Sequence, residues 1–227
     1  MRSNEVPGFL PSRHGFAFPN RWPTGPAFEW RVGYLRIGIG EVSDGLCGGM
    51  CFAAADGFLR GGAPPTDAVP PVFGTPLFGE IARRQLDSLE LGLVPLRFWW
   101  ASARLRTGRW TGRDQAREWR AIRAELDGGR PAMVGLVRAA TANPLALTAN
   151  HQVLAFAYEA GPVDATIRIY DPNHPGRDDV TIRLHVAGRS VTAGQSTGEP
   201  LLGVLSLPYR PAPEPADASG PAARRSR

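Results

Sequence analysis

The stretch DGLCGGMCFAAADGFLRGG, residues 44–62, holds both cysteines of a 227-residue chain. They stand four positions apart with a glycine pair between them. Asp44 or Cys47 is placed to cap a helix that runs to about Leu59, where Gly61 and Gly62 end it. Ahead of this helix, WRVGYLRIGIG (30–40) alternates weakly and reads as an edge strand. Behind it, Thr75 and Pro76 signal the N-cap and first residue of a second helix, reaching about Leu91 with Phe78, Ile81, Leu86 and Leu89 on its apolar side. A third helix, about 114–127, aligns Trp119, Ile122 and Leu126 in one stripe.

From residue 131 the pattern changes period. PAMVGLVRA (131–139), HQVLAFAYE (151–159), ATIRIYD (165–171), VTIRLHV (180–186) and LLGVLSLPY (201–209) read as strands between turn-rich segments. Helices first and an antiparallel sheet afterwards imply an α+β fold. Residues 1–30, rich in Pro, Gly and aromatics, read as an extended N-terminal arm. Residues 31–210 form one domain, and 211–227 read as a disordered tail by composition.

Composition narrows the function classes. Hydrophobic residues are 43% and charged residues 21%, a globular profile. No apolar run approaches the roughly 18–20 residues of a membrane span. The N-terminus lacks the apolar core of a secretory signal, so a cytoplasmic location is expected. All 26 basic residues are arginine, the mark of a GC-rich genome. Zinc wants four ligands, and the two thiols have no CxxC or HxxxH companion, so neither a metal nor any other cofactor is expected. Cysteines at i and i+4 of one helix also suit a disulfide poorly.

The remaining chemistry open to a cysteine at a helix start is nucleophilic. Unpaired N–H groups and the positive dipole end favour a thiolate there. Cys47 is the better placed thiol, and Gly48 and Gly49 leave room for a substrate carbonyl to approach backbone donors. Cys51, one turn further in, reads as a small core residue and is the alternative nucleophile. A base comes from the hairpin NHQVLAFAYE–TIRIYDPNHPG (150–176). Pairing Tyr158 with Asp164 sets His151 opposite Asp171; pairing it with Thr166 sets His151 opposite Asn173. Either register puts His151, Val153 and Ala155 on one face beside Ile167, Ile169 and Asp171. A thiol at a helix start, a histidine opening a strand and an acid closing the next together imply a Cys47–His151–Asp171 triad.

Cys47-Gly48-Gly49-Met50-Cys51-Phe52 resembles the helix start of papain-like cysteine peptidases, and most of all the bacterial branch that trims double-glycine leader peptides. That resemblance, carried also by His151 and by Asp171-Pro172, covers roughly residues 40–190. It implies a papain-like fold with an N-terminal helical lobe and a C-terminal antiparallel sheet. It also implies attack on an amide or peptide bond through an acyl-enzyme, with hydrolysis or acyl transfer as the outcome. The family carries a glutamine shortly before the nucleophile to bind the oxyanion. Glu41 stands there instead, leaving Ser43, Gln152 or the Cys47 N–H as substitutes. Papain's orienting residue is an asparagine, which makes Asn173 the alternative to Asp171.

Two other readings compete. A papain-like fold without activity would serve as a binding module. Residues 97–123 carry eight arginines and four tryptophans against two acids, a composition able to grip nucleic acid. The expectation is instead that these tryptophans face the core while the arginines solvate helix surfaces. A peptide or amide substrate is therefore the expected partner, with no membrane or nucleic acid.

Overall fold

The computed structural model describes residues 1–32, 35–41 and 45–213. Its architecture is α+β. The elements are β1 (Arg2–Glu5), α1 (Pro11–His14), β2 (Pro26–Val32), β3 (Leu35–Glu41), α2 (Cys47–Leu59) and α3 (Pro76–Ser88). Then come α4 (Leu93–Arg106), α5 (Gly112–Asp127), β4 (Ala132–Val137), β5 (His151–Ala160), β6 (Asp164–Tyr170), β7 (Thr181–Ala187), β8 (Ser190–Gln195) and β9 (Gly203–Leu207). The main sheet is antiparallel in the order β8-β7-β6-β5-β4-β9, with β1 also paired to β5. β2 and β3 make a separate hairpin. None of the described helices is long and apolar enough to cross a membrane.

The arm is part of the body. β4 pairs with the first half of β5 and ends at Ala132 opposite Ala155; β1 pairs with the second half, Ala157 to Ala160. β1 therefore satisfies backbone groups that β4 leaves open. The Val6 N–H donates to the Phe156 carbonyl at 2.7 Å where the two meet. Further along, Phe16, Phe18 and Trp22 are buried against Met50, Phe78 and Ile81. Residues 1–30 thus contain a strand and a helical turn as well as extended chain.

Burial on every side explains the composition of α2. Residues 47–56 are all buried. Cys51, Phe52, Ala54 and Ala55 join the core against the sheet, while Met50 and Ala53 meet the arm and α3. A helix enclosed in this way has no need of a polar face. Gly49 sits so close to α3 that a Cβ would strike the Ile81 carbonyl, and at Gly48 one would strike Ser88 Oγ and Gln152. The glycine pair therefore serves helix packing. Gly49 N–H is already donated to Gln85 Oε1 at 2.8 Å, which corrects the reading of Gly49 as a substrate-approach position.

Four other expectations need correction. α3 stops at Ser88, because Glu90 and Leu91 take left-handed backbone (φ 44° and 52°) that no right-handed helix continues through. Leu86, expected inside, is 49% exposed. Of the tryptophans, Trp110 and Trp119 join the core, whereas Trp99 and Trp100 are 37% and 42% exposed. The β5–β6 hairpin departs from both anticipated registers at its turn end and meets the second of them, the one that sets His151 opposite Asn173, only past a bulge. Tyr158 pairs with Ile167, and a bulge at Phe156 shifts the pairing to Ala155–Ile169 and Leu154–Tyr170. Beyond these, β8 is a strand that the alternation did not announce. Residues 214–227, most of the anticipated tail, lie outside the described residues.

Candidate active site

The first turn of α2 abuts the start of β5. Leu46 is the N-cap residue, so Cys47 is the first helical residue and its N–H has no acceptor in a preceding turn. Cys51 Sγ, one turn on, donates to the Gln152 carbonyl at 3.6 Å and pins helix to strand. That contact brings Cys47 beside His151, and the thiol and ring interact directly by charge and hydrogen bond. His151 Nε2 lies 2.7 Å from Asp171 Oδ1, which leaves Nδ1 for the sulfur. Asp171 follows β6 directly. Its Oδ1 also accepts the Asn173 N–H at 2.9 Å, and its Oδ2 accepts Gln195 Nε2 at 2.7 Å. Cys47, His151 and Asp171 are all buried or nearly so.

Electrostatics favour the ion-pair form. Burial pushes the Cys47 thiol up, but the His151 charge and hydrogen bond, aided by the Gln152 and Gly48 N–H groups, outweigh it and bring the thiol below its ordinary value. Burial likewise pushes His151 down, while Cys47 and Asp171 raise it to about 10. Cys51 shows what the same burial does without a histidine. Its thiol is driven well up by desolvation, reinforced by the charges of Cys47 and Asp171.

Burial also pushes the Asp171 carboxyl up, but His151 and the Asn173 N–H hold it down to about 2 from an ordinary 3.8. A folded pKa below the unfolded one means that the folded state binds fewer protons. The stabilisation is complete above about pH 5 and lost as pH falls through about 2. It amounts to about 2–3 kcal/mol. Urea midpoints for the wild type are expected to fall between pH 5 and 2.5 by more than those of Asp171→Asn. Parallel curves would show that the carboxylate contributes nothing.

Asn173 and the oxyanion candidates resolve differently. Asn173 supports Asp171 through its backbone and accepts Asn20 Nδ2 on Oδ1 at 3.3 Å, so the ring's partner is Asp171. Gln152 packs its side chain against Gly48, with its Oε1 buried and without a partner. Its side chain does not line the cleft that Cys47 lines. Gly48 N–H serves the Cys47 sulfur. Ser43 lies outside the described residues, and Glu41 closes β3 in register with Pro26.

Two contributors escaped the sequence. Asn20 comes from the arm, its N–H donating to the Pro172 carbonyl at 2.9 Å. Its Oδ1 accepts Leu46 N–H at 2.7 Å and Trp22 Nε1 at 3.0 Å, which fixes the amide so that Nδ2 turns away from both. Gly45, at φ 93°, lets this amide in; a Cβ there would stand 2.6 Å from Nδ2. Gln195, at the end of β8, holds Asp171 and is held in turn by Arg138 Nη2 at 3.0 Å. No spacing rule joins an arm asparagine or a late-strand glutamine to a cysteine helix.

The cleft is about 330 Å³ and is lined by Asn20, Arg21, Cys47, Arg138, His151 and Asn173 among others. His174 reaches its rim, paired with Glu199 at 2.7 Å. Arg21 also borders an apolar groove of about 490 Å³ formed by Trp22, the 69–73 loop and Phe78. A larger concavity, about 800 Å³, lies elsewhere, between α5 and the residues after β9, and is lined by neither cysteine nor histidine. Chemistry, not size, locates the site. Among the described residues no group of three His, Cys, Asp or Glu side chains is placed to hold a metal ion. No family model, curated protein or solved structure matches this chain.

Proposed function

We propose that the chain is a papain-like cysteine hydrolase or acyltransferase acting on an amide or peptide bond. The observation that carries this reading is the buried His151 ring, with Asp171 on Nε2 and Cys47 on its other side. A thiolate–imidazolium pair of this kind attacks a carbonyl carbon through sulfur. The oxyanion forms where the Cys47 N–H and Asn20 Nδ2 can donate to it. Collapse then breaks the C–N bond as His151 gives its Nδ1 proton to the departing amine, leaving a thioester on Cys47. His151 next takes a proton from water, or from an acceptor amine, as that nucleophile attacks the thioester and restores the thiol. Asp171 holds the ring in the tautomer this cycle needs.

The test is to trap the thioester. Incubation with activated peptide esters followed by intact mass measurement should add one acyl group, mapped to Cys47 and absent from Cys47→Ala. Turnover that survives Cys47→Ala would overturn the reading. Asn20→Asp offers a second test, because it keeps both bonds accepted by Oδ1 and replaces the donor by a carboxylate. It is expected to lower kcat by about 10²-fold, measured by steady-state kinetics. Unchanged kcat would remove Asn20 from the oxyanion site.

A further inference from the structure

Arg138 lies one residue beyond β4, half-buried, in the wall of the cleft that Cys47 and His151 line. Its backbone N–H donates to Asn150 Oδ1 at 3.0 Å, and its Nη2 donates to Gln195 Oε1 at 3.0 Å. Its Nε is buried with no partner. A half-buried guanidinium normally faces a carboxylate, since removing it from water unpaired is costly. Here none is available among the described residues. Asp171 is occupied by His151, Gln195 and Asn173, and Glu199 by His174 and Thr197. Arg21 lines the same cleft, exposed and likewise without an ion pair among the described residues. The cleft therefore offers two guanidinium groups without an ion pair among the described residues, with Glu199 at its wall paired to His174.

The side of the cleft also matters. Arg138 hangs from the strand pair that carries His151: Leu136 pairs with His151, and Asn150, which accepts Arg138 N–H, immediately precedes it. Asn20, by contrast, is anchored to the start of α2 and to the turn after β6. His151 protonates the departing amine, so a charge fixed on the His151 side meets the leaving group. We propose that Arg138 binds a carboxylate on the leaving amine, so that the substrate is an amide or peptide whose departing amine is an amino acid with a free carboxylate. A guanidinium is suited to that group because its planar fork donates two parallel N–H bonds to one carboxylate. The proposal rests on Cys47 being the nucleophile, as argued above.

Two measurements test it and separate it from that underlying reading. In the first, iodoacetate and its neutral isostere iodoacetamide compete for Cys47, each rate normalised to a free thiol. Wild-type protein is expected to prefer iodoacetate by about 10-fold or more, and Arg138→Gln to lose most of that ratio. The ratio is the readout, because Arg138 also touches Gln195. The same preference in Arg138→Gln would assign the attraction to the His151 imidazolium and overturn the proposal. Cys47 reacting no faster than a free thiol with either reagent would overturn the nucleophile itself. The second measurement needs only wild-type protein. Of two peptides differing in a C-terminal carboxylate or carboxamide, the acid is expected to release its last residue at least about 10-fold faster in kcat/KM. Equal rates would overturn the carboxylate site.

Discussion

Low-dose iodoacetamide near pH 6 is expected to alkylate Cys47 and spare Cys51, with Cys47 at least about a hundredfold faster. A free thiol of pKa about 8.5 is only about 0.3% ionised at that pH, so any thiol reacting quickly there must be held as thiolate. Both cysteines are buried, and burial alone pushes both thiols up. The difference between them is His151, which faces Cys47. His151→Ala should therefore cost Cys47 about a hundredfold in rate at pH 6 and make the rate climb steeply with pH. The wild-type rate should instead be nearly flat across neutral pH, because the raised imidazole keeps its proton up to about 10. For so tightly coupled a pair, the limbs of the profile belong to the pair and not to either residue. Peptide mapping by mass spectrometry over a pH series reads all of this. Equal, slow labelling of both cysteines would leave a folded but inert site.

Asp56→Ala is expected to cost about 3–5 kcal/mol, the largest stability loss among single changes near the site. Asp56 lies near the end of α2, nine residues or about two and a half turns from Cys47, and is 1% exposed. Arg84 Nε of α3 stands 2.8 Å from its Oδ2. Its Oδ1 accepts Arg84 Nη2 at 3.2 Å, Tyr209 Oη at 2.7 Å and the Ala212 N–H at 2.9 Å. One carboxylate thus ties α2 to α3 and to the chain after β9. Removing it strands an arginine that is itself 3% exposed, with only exposed Asp87 and the Arg210 carbonyl left to it. Asp56→Asn keeps the shape and some of these bonds and should cost less. Urea denaturation measures both; a loss below about 1 kcal/mol in Asp56→Ala would mean that water reaches Arg84. Because the pair sits at the far end of α2 from the nucleophile, surviving Asp56→Asn protein should keep its preference for labelling Cys47.

Much of this was legible in the residues. The period change near 131 separates helices from strands. The Thr75–Pro76 start is borne out, with Thr75 Oγ1 accepting the Phe78 N–H. The cysteine helix ends at Leu59 as its glycines imply. The positions Cys47, His151 and Asp171 announce themselves through local rules: a thiol where helix N–H groups are free, and polar residues opening and closing apolar strands. Their meeting is another matter, because about a hundred residues divide the thiol from the ring. Local pattern placed the His151 end of the hairpin in register but missed the bulge at Phe156, beside which β5 changes partner from β4 to β1.

By itself, then, the order of side chains determined most of the element types, the α+β class and the three candidate residues, because these follow from periodicity, caps and side-chain chemistry over a few neighbouring residues. Only the tertiary structure decided that Asn20 faces the cleft, that Gln195 and Arg138 stand behind Asp171, and that Asn173 serves the support and not the ring. Apart from Asn173 and Asp171, two residues apart, those partners are separated by about 24 to 153 residues. The hydrogen bonds that select them come into being only once burial has removed water as the alternative partner.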